Sequence, residues 1–210
     1  MESSVTSALR KRLSPLGELG RSLYSMRRMH LIRFDLSQPL PEIRPRVPMT
    51  FREATSEEME RFSSDPAHEV SPATARKQRR LLESGCRCVI GLSGDRIVYH
   101  SWTTTRIWKI SGSRALRLGK GKAMLFSSFT VADMRRKGIY AAGLAAELHL
   151  LKGLGASMAF GNVADYNLAS LKAVQQLGFV SLGLYRIVHT AGLVSVWMDP
   201  SMRRMMETDS

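Results

Sequence analysis

The chain has 210 residues, of which 44% are hydrophobic, and it carries a formal net charge of +13 at pH 7. This length fits one domain of about 160 residues with an extension, and the apolar content excludes an intrinsically disordered chain. Charged residues interrupt each apolar run well before the roughly 18 residues of a membrane span, and the start Met-Glu-Ser-Ser-Val-Thr lacks the order of a signal peptide. We expect a cytoplasmic protein, either free or peripheral at the inner membrane surface.

Residues 1–47 are predicted to form a basic extension and a linker. Arginine and lysine alternate with leucine and methionine from Leu9 onward, which favours a basic amphipathic helix with a break near Pro15. Such a helix would contact an anionic membrane or an acidic carrier, or would pack on the domain. Four prolines between Gln38 and Pro48 predict an extended segment, so we place the domain at 48–200 and a C-terminal tail at 201–210.

The domain is predicted to begin with a strand and two helices. Residues 49–54 have the pattern of a strand, and Thr55 with Glu58 forms a capping box that opens the first helix. Ser71 and Pro72 supply an N-cap and a first-turn proline for the second helix.

Two strands follow at 87–92 and 96–103, joined by the hairpin signal Ser93-Gly94-Asp95. Cys86 and Cys88 precede and enter the first of them, with a spacing along the strand that does not favour a disulfide. Two cysteines are too few ligands for zinc, so we predict reduced thiols and no metal site.

The stretch from Arg106 to Lys122 contains six basic residues and no acidic residue. A cluster of this kind suits an anionic partner, such as a nucleotide-linked substrate, an acidic carrier, a membrane surface or nucleic acid. A solvated basic surface is the alternative interpretation.

A strand at 122–130 is then predicted to lead into a helix from about residue 138 to 151. The turn between them reads Arg135-Arg136-Lys137-Gly138-Ile139-Tyr140. A helix that begins at this turn directs unpaired backbone N–H groups and the positive end of its dipole at one place. With the basic side chains, and with a glycine that lets a ligand approach the backbone, this turn predicts a phosphate site.

The remaining elements alternate again between strand and helix. A strand is predicted at 156–163, and Asn167 opens a helix that Gly178 closes. Residues 179–190 and 193–198 are predicted to form a closing hairpin around Ala191-Gly192.

Two segments resemble the cofactor segments of the Gcn5-related N-acetyltransferases (GNAT family). The segment 135–140 is similar to the pyrophosphate loop Arg/Gln-x-x-Gly-x-Gly/Ala, although Tyr140 replaces its final small residue. The segment 162–179 is similar to a strand end followed by a helix that Asn-x-x-Ser opens and Leu-Gly-Phe closes. The resemblance covers about residues 49–198. It implies an α/β fold with a mixed central sheet of about seven strands, splayed between the fourth and fifth and flanked by helices.

The resemblance also implies acetyl-CoA as acyl donor and assigns the residues that bind it. The strand end that pairs with the pantetheine arm maps onto residues Ser128, Phe129 and Thr130. The pyrophosphate loop maps onto Arg136, Lys137, Gly138, Ile139, Tyr140 and Ala141. Asn167 takes the place of an asparagine that contacts the cofactor, and its simpler role is an N-cap.

The catalytic residues are less clearly indicated. Family members often use a tyrosine to protonate the leaving thiolate, and Val174 occupies that position here. The candidates that remain are Tyr140, Asp165, Tyr166 and His100. Three of them have a structural alternative: Tyr140 as a wall of the cofactor site, Asp165 as a helix-dipole partner, and His100 as a packed strand residue.

The leading functional hypothesis is therefore an N-acyltransferase that acetylates an amine of a small molecule by direct transfer, with a fatty acyl donor or a hydroxyl acceptor as open alternatives. The rival hypothesis is an acetyltransferase-like binding module that acts through its basic surfaces on nucleic acid or anionic lipid. Nucleic acid is disfavoured, because only Trp102 and Trp108 lie near basic residues where bases could stack.

Overall fold

A computed structural model describes residues 24–64 and 72–207 of the chain. The strands, in chain order, are β1 (Tyr24–Asp35), β2 (Thr50–Glu53), β3 (Arg87–Ser93), β4 (Arg96–Thr104), β5 (Ile107–Ser111), β6 (Arg114–Arg117), β7 (Lys122–Thr130), β8 (Met158–Ala164), β9 (Val180–Thr190) and β10 (Leu193–Trp197). The helices are α1 (Ser56–Ser64), α2 (Pro72–Glu83), α3 (Ile139–Gly153), α4 (Leu168–Gln176) and α5 (Pro200–Glu207), with a short 3-10 helix at Ala132–Met134.

Within these residues, eight strands form one mixed sheet in the order β10-β9-β1-β8-β7-β4-β3-β2. β7 and β8 are parallel, and the other neighbouring pairs in this sheet are antiparallel. β5 and β6 form a separate antiparallel hairpin. The predicted mixed α/β architecture is therefore confirmed, with eight strands in the sheet instead of about seven.

The additional strand is β1, and here the prediction from sequence is wrong. Residues 1–47 were expected to form an extension and linker outside the domain, but β1 lies inside the sheet between β8 and β9. It pairs with β8 from Met29 to Asp35 and with β9 from Tyr24 to Arg33. A strand with neighbours on both sides satisfies its backbone N–H and C=O groups across its length. This segment is therefore more stable as an inner strand than it would be as an isolated helix. The predicted helix break near Pro15 lies outside the described residues.

Local signals account for several elements that the sequence did predict. Thr55 and Glu58 form the capping box: the Glu58 N–H donates to Thr55 Oγ1 at 3.2 Å, and the Thr55 N–H donates to Glu58 Oε2 at 2.9 Å. The β3–β4 hairpin pairs Ser93 with Arg96 across the predicted turn. The N-cap at Ser71, predicted for α2, lies outside the described residues.

The buried side chains pack in clusters on the sheet. One cluster joins α3 and α4 to β1 and β8 through Leu144, Leu148 and Val174. A second cluster holds α5 and the β5–β6 hairpin against the sheet, and a third holds α1 and α2. α3 thereby lies along the sheet with its first turn beside the end of β7.

The C-terminal tail predicted at 201–210 is instead largely the helix α5. Met202 and Met206 are buried in the same cluster as Trp108. The Gly119 N–H donates to the carbonyl of Met206 at 2.9 Å, and Lys122 Nζ donates to the carbonyl of Met205 at 2.6 Å. α5 is therefore part of the domain, at least as far as Glu207.

Both cysteines are buried and free, which confirms that they do not form a disulfide with each other. Desolvation raises the pKa of Cys88 well above its ordinary value, so its thiol stays protonated. In the described part of the chain, every helix is too short or too polar to cross a membrane.

Candidate functional site

β7 and β8 run side by side and then separate, leaving a cleft in the middle of the sheet. Their pairing runs from Lys122 with Met158 to Leu125 with Gly161, and the remaining residues of both strands diverge. The cleft has a volume of about 280 Å³. Its polar lining residues are Ser127, Ser128, Tyr140, Asn162, Asn167 and Ser170. This confirms the predicted splay, since β7 and β8 correspond to the fourth and fifth of the strands predicted from sequence.

A β-bulge shapes the β7 side of the cleft. His100 pairs with Phe129 and Trp102 pairs with Phe126, so that Ser101 lies opposite two residues of β7. Ser127 has a φ of 54°, a left-handed conformation that is unfavourable for a residue with a side chain. The bulge bends the strand away from β8 and brings Ser128 Oγ to 2.8 Å from Ser101 Oγ.

The predicted phosphate turn lies beside the cleft, at the start of α3. Arg136 and Gly138 both have positive φ, of 63° and 77°, and no side chain caps the helix. The first backbone N–H groups of α3 therefore have no side-chain acceptor at the place where Arg136 and Lys137 add positive charge. The carbonyl of Lys137 accepts a hydrogen bond of 2.9 Å from the Arg46 N–H, so the proline-rich segment supports the turn from behind.

The next three residues have different environments. Ile139 is buried against Val98 and Val131, so only its backbone can face a ligand. Tyr140 lines the cleft, and burial raises the pKa of its phenol to about 12. Ala141 packs on the α3–α4 cluster.

Asn167 performs the role of an N-cap and also lines the cleft. Its side-chain oxygen accepts a hydrogen bond of 3.1 Å from the Ser170 N–H and opens α4. Both residues border the cleft from the β8 side. The N-cap role is therefore confirmed, and the contact of Asn167 with a cofactor stays a prediction.

Two of the residues predicted for the pantetheine strand lie beyond the cleft lining. Phe129 is exposed, stacks on His100 with 5.6 Å between ring centroids, and lies 5.8 Å from the guanidinium of Arg135. Thr130 pairs with Tyr99 in the sheet. Ser128 is the member of the predicted trio that borders the cleft.

The other catalytic candidates lie away from the cleft lining. Asp165 forms ion pairs with Arg28 at 3.3 Å and with His30 at 3.2 Å, both from β1. Tyr166 is 85% exposed. His100 is buried between Phe129 and Phe62, with 5.2 Å between the His100 and Phe62 ring centroids. Their catalytic roles stay predictions without geometric support.

The aromatic residues invoked for nucleic-acid stacking are not available at the surface. Trp102 and Trp108 are both buried in hydrophobic clusters. A base cannot stack on a side chain that is already covered by protein. The rival hypothesis therefore loses the feature that supported it for nucleic acid.

The structure also brings together polar residues that the sequence analysis missed. Ser101, on β4, connects Ser128 with the interior of the domain, and Glu147 of α3 is 0% exposed. Burial raises the pKa of Glu147 to about 8. On the other side of the cleft, Asn162 Nδ2 donates to Tyr185 Oη at 3.1 Å. A single carboxylate within the apolar sequence Ala-Ala-Gly-Leu-Ala-Ala-Glu-Leu-His-Leu-Leu was the available signal for Glu147.

These features together fit an elongated ligand with a polyanionic end. The diverging strands present backbone groups that no neighbouring strand pairs at this point, which suits an amide-containing arm. The turn at Gly138 offers positive charge and backbone N–H groups for phosphates. A Cβ on Gly138 would lie 3.6 Å from the Cα of Pro45, so the back of the turn is already filled by the proline-rich segment.

No protein-family model matches the chain, and no curated protein is significantly similar to it in sequence. Solved structures of low sequence identity share its fold. A GCN5-related N-acetyltransferase from Sphaerobacter thermophilus has 19% identity and a TM-score of 0.55 over 91% of this chain and 59% of its own. A tandem GNAT protein from the clavulanic acid biosynthesis pathway has 11% identity and a TM-score of 0.55 over 86% of this chain and 59% of its own.

A third similar structure is a GCN5-related glucosamine N-acetyltransferase region in a fungal multi-domain β-N-acetylglucosaminidase. It has 15% identity and a TM-score of 0.55, over 84% of this chain and 22% of its own. The chain thus spans 22–59% of the length of these three structures. Together with the splayed sheet, these similarities show that the chain has the fold of the GCN5-related N-acetyltransferases.

Proposed function

We propose that this chain is an acyl-CoA-dependent N-acyltransferase that transfers acetyl from acetyl-CoA directly to an amine of a small molecule. The observation that carries the proposal is the continuity between the cleft and the turn at the start of α3. Tyr140 lines the cleft, and Gly138 lies only two residues before it. One ligand can therefore place its thioester between β7 and β8 and its pyrophosphate at the turn.

The residues have distinct tasks under this proposal. Arg136 and Lys137 attract the pyrophosphate, and the N–H groups that follow Gly138 donate to it. The backbone at Ser127 and Ser128 binds the amide-containing arm along the edge that β8 leaves open. When bound, acetyl-CoA supplies an activated acetyl group as a thioester.

Direct transfer is favoured over a covalent acyl-enzyme by the composition of the cleft. Its lining, within the described residues, includes neither cysteine nor histidine. A serine nucleophile needs an adjacent general base, and the neighbour of Ser128 is the hydroxyl of Ser101. The amine acceptor must therefore meet the thioester without an enzyme-bound intermediate.

Titration calorimetry with acetyl-CoA and with acetyl-pantetheine tests the donor site. We expect acetyl-CoA to bind at least tenfold more tightly, because acetyl-pantetheine lacks the phosphates that the turn at Gly138 would hold, and tenfold is about 1.4 kcal/mol. Transfer of labelled acetyl from acetyl-CoA to a panel of small amines then tests the reaction. A protein that shows neither acetyl-CoA binding at about 1 mM nor acetyl transfer to any amine would contradict the proposal.

A further inference from the structure

A buried polar cluster lies behind the cleft and connects it with the centre of α3. The cluster consists of Glu147 on α3, Tyr99 and Ser101 on β4, and Ser128 on β7. Glu147 and Tyr99 are 0% exposed, and Ser101 is also buried, whereas Ser128 borders the cleft. The cluster is thus open toward the cleft at Ser128 and closed elsewhere.

The carboxyl group of Glu147 has an unusual environment. In the described part of the chain, neither of its oxygens has a hydrogen-bond partner of normal geometry. Ser101 is the group whose hydroxyl favours the charged form of the carboxyl, against the larger effect of burial. An unpaired carboxylate in the core is highly unfavourable, so at neutral pH this group holds a proton. A buried polar group without a protein partner is uncommon and calls for an explanation other than packing.

The hydroxyl groups of Ser101 and Ser128 lie in sequence between Glu147 and the cleft. Their oxygens are 2.8 Å apart, and either one can donate to the other. A hydroxyl that donates and accepts at the same time can pass a proton along without moving its oxygen. The bulge at Ser127 is what aligns the two serines, since it places two residues of β7 opposite Ser101.

We propose that Glu147 stores a proton that Ser101 and Ser128 deliver to the leaving sulfur in the cleft. The proposal rests on the N-acyltransferase function proposed above. It assigns to a buried glutamic acid the task that Val174 cannot perform. Glu147 does not touch the substrate and acts through the two serines, whereas Ser128 is the residue that contacts the reacting group.

Over one catalytic cycle, Glu147 gives up one proton and regains one. The amine nitrogen bonds to the acetyl carbon, the carbon–sulfur bond breaks, and its electron pair stays on sulfur. Ser128 gives its proton to the sulfur and takes one from Ser101. Ser101 takes one from Glu147 through a hydrogen bond that forms only during the transfer, since the carboxyl has none of normal geometry among the described residues. The amine releases its proton to water, and Glu147 regains a proton through the same hydroxyls. A thiol has an ordinary pKa of about 8.5, which matches the pKa of about 8 that burial gives Glu147.

The other titratable groups that face Glu147 are poorer proton donors. These groups are Cys88 on β3, Tyr99 on β4 and Tyr140 on α3, and for each of them the charge of Glu147 contributes to a raised pKa. Among the described residues, no lysine, arginine or histidine contributes to the pKa of Glu147. Glu147 is thus the strongest acid of the cluster.

The test compares Glu147→Gln and Ser101→Ala with Thr103→Val. Thr103 is buried two residues along β4 and donates to the carbonyl of Met124 at 3.2 Å, so it is a matched control outside the cluster. We expect the first two variants to lower kcat by roughly tenfold or more with KM for acetyl-CoA unchanged within about twofold. We also expect the loss of kcat above pH 8, which reflects Glu147 ionisation in the wild type, to disappear in Glu147→Gln. Thr103→Val should behave like the wild type.

An infrared titration provides a readout that does not need turnover. The carbonyl band of a protonated carboxylic acid should be present at pH 7, disappear near pH 8, and be absent in Glu147→Gln. If the wild type is active and Glu147→Gln has the same kcat and the same pH profile, the relay is overturned. An inactive wild type would instead contradict the proposed function, and the infrared band would still show whether Glu147 holds its proton. Absence of that band from the wild type would overturn the proton store.

Discussion

The ring of Tyr99 fills the space over Gly143 in the middle of α3. A Cβ on Gly143 would lie 2.3 Å from Cε1 and 2.4 Å from Cζ of Tyr99. The glycine therefore lets the helix approach β4 closely, and Glu147, one turn further on, lies where the Ser101 hydroxyl lowers its pKa against the effect of burial. One missing methyl group sets the distance between the helix and the strand.

Gly143→Ala should lower the free energy of unfolding, because the Tyr99 ring cannot move within a packed core without displacing its neighbours. Overpacking of a core position costs about 1–3 kcal/mol. Urea denaturation of Gly143→Ala measures this loss in the free energy of unfolding. Gly153→Ala is the control, since it lies in the same helix with nothing within 4 Å of its Cβ position. That variant should be neutral or slightly more stable. Equal stability of the two variants would argue against the close approach.

Gly138→Asp should lower acetyl-CoA affinity by roughly tenfold or more, because it adds negative charge at the first turn of α3, beside the place where the phosphates would bind, with its Cβ on the side of Pro45. Gly155→Asp is the control: its φ of 78° matches the 77° of Gly138, and its Cβ position has nothing within 4 Å. Both variants share the backbone strain, so only the first should lose affinity in calorimetry. Equal affinity in both would remove the phosphate role from the turn.

Tyr140→Phe keeps the ring in the cleft wall and removes its hydroxyl. Because burial raises the pKa of Tyr140 to about 12, it is a weak proton donor, and we expect turnover to stay within a few-fold of the wild type. Steady-state kinetics with saturating acetyl-CoA measures this. A drop of about 10²-fold would instead identify Tyr140 as the catalytic acid.

The buried carboxyl of Glu147 should make stability depend on pH. Its ordinary pKa is 4.5, and in the folded protein the pKa is about 8. Its contribution to the free energy of unfolding is therefore fully present below pH 4.5 and is lost as the pH rises to about 8. The total loss is about 5 kcal/mol. Glu147→Gln should gain about 4 kcal/mol of this total relative to the wild type between pH 5 and pH 8.5 in denaturant titrations. Glu42→Gln, in the exposed linker, should follow the wild type at each pH.

β1 provides a direct test of how far the domain extends toward the N-terminus. Leu31 is 0% exposed and Met26 is 48% exposed on the same strand. Leu31→Ala should therefore destabilise the protein by about 2–5 kcal/mol, and Met26→Ala by less than about 0.5 kcal/mol. Thermal denaturation followed by circular dichroism measures both. If residues before 48 were only an extension, neither variant would change the melting temperature.

The elements predicted from sequence were those with local signals. Thr55 and Glu58 mark the start of α1 by capping, and the leucines of α3 mark its buried side. β1 lacks such a signal, because its arginines and a bulge between Leu31 and Ile32 break the alternation expected of a strand. Its partners lie more than 120 residues away in sequence, and no local pattern encodes that pairing.

The residues of the candidate site also divide into those that a local motif predicts and those that depend on distant parts of the chain. The turn at Gly138 and the cap at Asn167 are short local motifs, so both were predicted. The approach of Ser101 to Ser128 depends on a bulge at Ser127, a residue type that rarely adopts positive φ and gives no warning in the sequence. Asp165 was considered for catalysis, but its ion pairs with Arg28 and His30 depend on the unpredicted strand β1.

The position of β1 also has a consequence for the order in which the chain assembles. The first described strand is held by β8 and β9, so it has no sheet neighbour until β8, which begins at Met158, has been made. Contacts of such wide sequence separation slow folding, because a long loop must close before they form. During synthesis, the β9–β10 hairpin can form by itself, but it joins the sheet only through β1. The completed sheet should therefore be a late product of folding, formed after the carboxyl-terminal strands leave the ribosome.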